Sequence, residues 1–266
     1  MADEVLYDVT EHVATITLNR PDRLNAATFE LGEQLQAAFR KADASPDVRV
    51  VILTGAGKAF CSGDDVEAAW GDPRMEATMA ELGAARPPMT PEVAAILDCR
   101  KPTIAAVNGV ALGIGMDLAV LCDLRIASER ARFGQLFVKM GLMADVTGYW
   151  CLPRLVGSAH AARLLFTGDI IDAQEALAMG LVSQVVPTDE LMGEARGLAD
   201  RIAANPPIAV VYIKEGLRRA AGTDRHGLPD LASFVGNGLA RLFTTADHKE
   251  AVAAFMEKRP ATFTGR

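Results

Sequence analysis

The stretch Lys101–Asp123, KPTIAAVNGVALGIGMDLAVLCD, most narrows what this chain of 266 residues can fold into. Thr103–Asn108 is a short apolar run rich in branched residues, bounded by Pro102 and by Asn108-Gly109, which reads as a buried strand. Ile114, Leu118, Leu121 and Cys122 then recur at helical spacing, so a helix starts near Gly113. Between them Gly109, Gly113 and Gly115 let the backbone turn tightly and leave amide N–H groups uncovered. A helix start adds unpaired donors and about half a positive charge. Such a place favours a negative oxygen, on a ligand or in a transition state. A glycine turn alone fits a plain strand-to-helix connection better than a ligand site.

A second stretch changes that balance. Thr54–Val66, TGAGKAFCSGDDV, also follows an apolar run, Val48–Leu53, and also ends in small residues and glycine. Two strand ends of this kind can aim two amide donors at one point. Other chemistries find no support. TGAGKAF has Phe60 where a dinucleotide loop needs its third glycine, and no phosphate-loop G-x-x-x-x-G-K-[ST] occurs. Ser62 lacks the first glycine of a nucleophile elbow, and His12, His160, His226 and His248 lie far from both glycine motifs. Cys61, Cys99, Cys122 and Cys151 show no C-x-x-C spacing, so no metal site is expected and a reducing compartment fits.

Charge matters where partners are concerned. Lys and Arg total 27 against 34 Asp and Glu, a net charge of −7, which argues against nucleic acid or an acidic membrane surface. No apolar run approaches the roughly 18 residues of a membrane span, and the acidic start MADEVLYDVT is unlike a signal peptide. The expectation is a cytoplasmic protein.

Along the chain, Val5–Leu18 reads as a hairpin turning at Glu11-His12, and Thr28 as the N-cap of a helix to about Ala42. Glu67–Glu92, rich in Met, Ala and Pro, reads as an irregular helical segment over the mouth of a site or, equally, as a passive surface excursion. Leu124–Ala127 and Ala131–Phe133 are short strands, followed by helices over 147–155 and from Ser158. A short helix closed by Gly180 and a strand near Val185 follow, then helices over 188–204, 208–221, 228–244 and 247–258. Alternating strands and helices indicate an α/β fold, and pattern alone would suggest a doubly wound sheet.

Three stretches carry a more specific resemblance. GKAFCSGDDV, AAVNGVALGIGMDLAVLCDLRIAS and ARFGQLFVKMGLMADVTGYWCLPRLVG together resemble the crotonases, the enoyl-CoA hydratases and isomerases, with weaker similarity over nearly the whole chain. The resemblance implies a crotonase spiral of ββα turns over residues 1–190 and a C-terminal helical trimerisation region over 191–266. It also implies an acyl-CoA substrate, an oxyanion-stabilised enolate, no cofactor beyond the coenzyme A of the substrate, and a homotrimer or hexamer.

Carried over residue by residue, the resemblance places the two oxyanion donors on the backbone amides of Asp64 and Ile114, beside Gly63 and Gly113. Asp117 matches one family glutamate, though an acid in a first helical turn also suits the helix dipole. The second family glutamate falls on Phe137, which carries no proton. The remaining acid is Asp145, either an N-cap or the proton-moving group that isomerases of the family place there. The resemblance favours the second reading, and the apolar neighbours Phe137, Met140, Leu142 and Met143 should raise its pKa, so Asp145 is expected to matter more than Asp117. Arg23, Leu24 and Ala26 match the loop lining the coenzyme A adenine, Phe60 in the first motif is a substrate-binding candidate, as are Gly63, Gly113 and Phe137, and Lys258 matches a phosphate contact. For Arg23 and Lys258 a solvated side chain is the equal alternative, and Glu67 stands where many hydratases have lysine. The reaction expected is a double-bond shift. Hydration, hydrolysis or dehalogenation with Asp145 as nucleophile, and non-catalytic acyl-CoA binding are the alternatives.

Overall fold

The expected hairpin opens the chain. β1 (Val5–Thr10) pairs antiparallel with β2 (Val13–Leu18), and Glu11 and His12 turn between them at positive φ. The computed structural model describes residues 3–69, 72–74, 77, 90–222 and 225–266. Helix α1 (Phe29–Ala44) begins where the sequence indicates, with the Thr28 hydroxyl accepting from the Leu31 N–H at 3.0 Å.

From there the chain repeats a unit. β3 (Val50–Gly55) is followed by β4 (Ala59–Cys61) and by helices α2 (Val66–Ala69) and α3 (Pro91–Asp98). β5 (Thr103–Val107) and β6 (Val110–Leu112) lead into α4 (Ile114–Leu121). β7 (Leu124–Ser128) and β8 (Arg132–Gly134) lead through a 3-10 turn (Leu136–Met140) into α5 (Val146–Trp150) and α6 (Leu152–Thr167). β9 (Ile170–Asp172), α7 (Ala173–Ala178) and β10 (Gln184–Val186) close the series. The first strand of each unit joins a six-stranded sheet, order β1-β2-β3-β5-β7-β10, and the second a four-stranded sheet, order β4-β6-β8-β9. This is the spiral of ββα turns, and it replaces the doubly wound sheet that pattern alone suggested.

Parallel strands buried on both faces should be continuously apolar, and Val50–Leu53 are wholly buried. One face packs on the main core with Leu31, Leu35, Phe39 and Met116. The other is covered by α8 (Leu191–Ala203), whose Ala195, Ala199 and Ala203 allow close approach to Ile52, Ile104 and Ile126. Helix α8, which falls in the expected C-terminal region, thus packs on the sheet. Beyond it α9 (Pro207–Ala221), α10 (Leu228–Leu242) and α11 (Ala246–Glu257) form the C-terminal helical region.

Some boundaries differ from the sequence reading. β4, β6 and β9, three residues each, were not expected. The helix expected over 147–155 is divided at Cys151, and the break before Ser158 is a kink inside α6 at Gly157 (φ 77°, ψ 161°). Most of the segment expected over the site mouth, residues 70–71, 75–76 and 78–89, lies outside the described residues.

Candidate active site

Backbone forms one wall of the site. The two glycine motifs press against each other, and the fit explains two of their glycines. A Cβ on Gly109 would lie 2.0 Å from the Lys58 carbonyl oxygen, and one on Gly115 would lie 2.1 Å from that of Cys61. Gly113 and Gly63 serve differently, with φ of 52° and 114° that turn the chain at each strand end. The two turns meet, because a Cβ on Gly113 would sit 3.9 Å from Gly63 Cα and 3.8 Å from Phe137 Cζ.

The amides at this junction are available. Gly113 N–H donates to the Gly134 carbonyl at 2.9 Å, and Asp65 N–H to that of Ala27 at 2.8 Å. Among the described residues, the Asp64 and Ile114 N–H groups between and beside them have no protein acceptor. Ile114 is the first residue of α4, so its N–H points out of the helix start. Two free donors on touching turns suit an oxygen that becomes negative.

Side chains form the other wall. Asp117, one turn into α4, is wholly buried. Gln135 Nε2 donates to its Oδ1 at 2.8 Å, while Oδ2 is buried without a partner among the described residues. Burial pushes the Asp117 carboxyl up to about 7; the Gln135 bond opposes this, and the like charges of Asp145 and Asp64 add to it. Asp64 keeps its side chain open to solvent on one side and crowded on the other. Desolvation, then Glu92 and then Asp145, raise its carboxyl. Three acids from different segments therefore share one neighbourhood.

Asp145 has the cap role that the sequence left open: Oδ1 accepts from the Val146 N–H at 2.6 Å at the start of α5. The expected apolar burial around it is corrected. Met140, Leu142 and Met143 are 66%, 62% and 74% exposed, and Asp145 itself is half-buried.

The other expected residues divide. Leu24 and Ala26 lie in a loop laid along the first motif, with Ser62 N–H donating to Leu24 O at 3.1 Å and Ala27 N–H to Gly63 O at 2.8 Å. Arg23, in the same loop, reaches Asp65 at 3.3 Å and Glu67 at 2.6 Å. A phosphate there would meet a cation already shared, although so exposed a pair as Arg23–Glu67 exchanges readily in water. Phe60, expected to bind substrate, is corrected to a core residue: it is fully buried and supports the first motif from behind. Lys258 is the exposed C-cap of α11, and no hydrogen bond or ion pair joins it to the site among the described residues. Gln135 was not singled out by sequence; its only signal is an amide in an otherwise apolar turn. The thiols are not nucleophiles, since burial pushes Cys61 to about 12 and Cys151 to about 11.

Comparison with known proteins gives a consistent picture. The sequence model of the family described as enoyl-CoA hydratase/isomerase matches residues 8–266. An (E)-benzylidenesuccinyl-CoA hydratase of Thauera aromatica is 39% identical over 265 residues, covering 98% of this chain and 99% of that protein. A 1,2-epoxyphenylacetyl-CoA isomerase of Escherichia coli K12 is 35% identical over 266 residues, covering all of both. The crystal structure of an enoyl-CoA hydratase from Bacillus anthracis superposes with a TM-score of 0.90 at 35% identity, covering 99% of this chain and 100% of that one.

Proposed function

The chain belongs to the enoyl-CoA hydratase/isomerase family, the crotonases, and is an acyl-CoA thioester enzyme; from that premise we propose that it shifts a double bond in an enoyl-CoA, with Asp117 moving the proton. The observation that carries this reading is Asp117 itself: wholly buried, one oxygen held by Gln135, the other free, and a carboxyl brought to about 7. A group that must both take and give a proton works best near the operating pH.

The steps balance on one proton. The Asp117 carboxylate removes a proton from C2 of a 3-enoyl thioester. The C–H electron pair becomes the C1=C2 bond, and the carbonyl pair moves onto the thioester oxygen. Asp64 N–H and Ile114 N–H donate to that oxygen. When the carbonyl re-forms, the C1=C2 pair becomes C2=C3, and the old C3=C4 pair takes the proton back from Asp117 at C4. Phe137 favours this over water addition, because its ring lies against Gly113 and holds no water. Coenzyme A enters only as part of the substrate.

Hydration is the second reading, favoured by the electrostatic coupling of Asp117 with Asp145, a pair that can divide acid and base roles. Attack by Asp145 in hydrolysis or dehalogenation gains no support from its cap bond. A non-catalytic binder would have no use for an Asp117 so placed. Assembly into trimers or hexamers is supported by apolar side chains that one chain leaves uncovered on its C-terminal helices, among them Leu217, Leu239, Phe243 and Phe255, 68%, 48%, 60% and 82% exposed. A cytoplasmic setting accords with four buried free cysteines. No helix among the described residues is long and apolar enough to cross a membrane.

The test is a set of 2-enoyl- and 3-enoyl-CoA thioesters of several chain lengths, with products identified. Interconversion of the two enoyl positions is expected. Formation of 3-hydroxyacyl-CoA without any double-bond shift would establish hydration instead.

A further inference from the structure

The direction of the Asp64 N–H is set from the side of the first motif opposite the site. Ala27 N–H donates to Gly63 O at 2.8 Å and Asp65 N–H to Ala27 O at 2.8 Å, so Ala27 and Asp64 are partners in a parallel bridge. Successive amides of an extended chain point to opposite sides, and the middle residue of such a bridge turns its own N–H away from its partner. That other side is the one on which β4 pairs with β6, through Cys61 and Ala111. Asp64 N–H is thereby turned towards Gly113 and Ile114, where β6 ends and α4 begins. A shift of the Ala27 segment would rotate this donor, whatever side chain stands at position 64.

What holds that segment is polar and largely buried. In the loop before it, Leu24 and Asn25 both take positive φ, 51° and 55°. Neither is glycine, so the loop keeps this shape only because its contacts over-determine it. Asn25, wholly buried, donates from Nδ2 to the carbonyls of Ala56 and Ala59 at 2.9 and 2.7 Å, and its Oδ1 accepts from the Arg20 N–H at 2.8 Å. The Arg20 side chain then ties the loop to the motif. Its guanidinium donates to the Ala26 carbonyl, meets Glu4 at 3.2 Å and meets Asp65 Oδ2 at 3.0 Å. The last contact is an ion pair out of hydrogen-bond alignment, with the Asp65 side chain 3% exposed and that of Arg20 17%. Asp65 Oδ1 accepts from the Ala68 N–H at 3.1 Å, so the same carboxylate also holds the first turn of α2. A pair so buried is held firmly, because either partner alone would be an uncompensated charge.

We propose that Arg20 and Asp65 are positioning residues: their buried ion pair clamps the Ala26-Ala27 segment against the first glycine motif and so aims the Asp64 N–H at the thioester oxygen. Both act through the backbone, and neither enters the chemistry. This inference rests on the reading of Asp64 and Ile114 as oxyanion donors, and it gives a role to two side chains that the glycines do not explain.

Isotope-edited infrared difference spectra of butyryl-CoA, labelled with carbon-13 at the thioester carbonyl, read the donors without turnover. Two donors on the oxygen weaken the C=O bond and lower its stretch on binding. Arg20→Gln removes the cation and leaves the Arg23–Asp65 pair, while Asp65→Asn removes the anion and keeps an acceptor for the Ala68 N–H. In each variant the band should lose roughly half of its shift, as for one donor of two. Turnover of 3-enoyl-CoA should fall about tenfold or more, with KM within about threefold of wild type. The double variant should do no worse than the worse single one, because both substitutions break the same contact. Arg20→Lys, which keeps the charge but reaches fewer acceptors, should give a smaller loss of shift and stands in if Arg20→Gln does not fold. Arg49→Gln controls for general destabilisation: Arg49 bonds the Ala203 and Phe263 carbonyls, so its loss should lower the melting temperature without moving the band. A shifted wild-type band that is unchanged in the Arg20 and Asp65 variants overturns the clamp and leaves the oxyanion reading standing. A wild-type band that does not move on binding overturns the oxyanion reading, and the clamp with it.

Discussion

The two walls of the site are built on opposite principles. The wall of Asp64 N–H and Ile114 N–H is backbone: it depends on the path of the chain and not on which side chains follow it. The wall of Asp117, Gln135 and Asp145 is side chain, and its chemistry depends on burial. Two carboxyls in neighbouring positions have different surroundings. Asp117, sealed between α4 and Gln135, is raised to about 7, whereas Asp145 is half-buried and occupied as a helix cap. Position in a motif marks a candidate acid, and its surroundings decide its work.

Substitutions can break or sharpen this contrast. The largest effect should come from the backbone wall. Gly115→Ala places a methyl 2.1 Å from the Cys61 carbonyl, so the loss of stability should exceed about 4–5 kcal/mol and little folded protein should be recovered. The next should come from the acid wall and have the opposite sign. Between its ordinary value of 3.8 and about 7, Asp117 holds a proton in the folded protein that the unfolded chain releases. The contribution of Asp117 to stability therefore falls as pH rises through that window and is flat above it. At about 1.4 kcal/mol per unit, Asp117→Asn should stabilise the fold by up to roughly 4 kcal/mol at pH 8 and by little at pH 3, as thermal melts at both values would report.

Gly113→Val is the milder backbone change. At φ 52° and ψ −124° a branched side chain is strained, but the nearest atoms are 3.8 Å away, so the protein should fold while the Ile114 donor is displaced. Turnover should drop about 10²–10³-fold with a near-native circular dichroism spectrum. The smallest effect belongs to Asp64→Ala. The amide stays, so activity should remain within about tenfold of wild type if the wall is indeed backbone. Loss of one like charge should move the acid limb of the pH profile downward.

What the sequence revealed follows the same division. Glycines report backbone shape, so both turns and the pairing of the motifs were legible, as were the Glu11-His12 hairpin, the Thr28 cap and the four C-terminal helices. β4, β6 and β9 were not, because three residues carry no periodicity. Of the two acids the sequence favoured Asp145, and the burial of Asp117 is what turns the proposal to Asp117 instead. Met140, Leu142 and Met143 look like a buried lining in sequence, but apolar residues also occupy surfaces, and here one chain leaves them exposed. The burial of Asp117 depends on Gln135 and α5, which arrive from later in the chain. Glu67, where a lysine was the family expectation, turned out to bind Arg23.

The central claim is that the buried carboxyl, Asp117, moves the proton. The most direct test measures the interconversion of 3-enoyl- and 2-enoyl-CoA by Asp117→Asn and Asp145→Asn side by side. Asp117→Asn should lower turnover by about 10²–10⁴ while Asp145→Asn keeps the larger part of it. Near-wild-type turnover in Asp117→Asn together with its loss in Asp145→Asn would contradict the account and assign the proton to the helix cap.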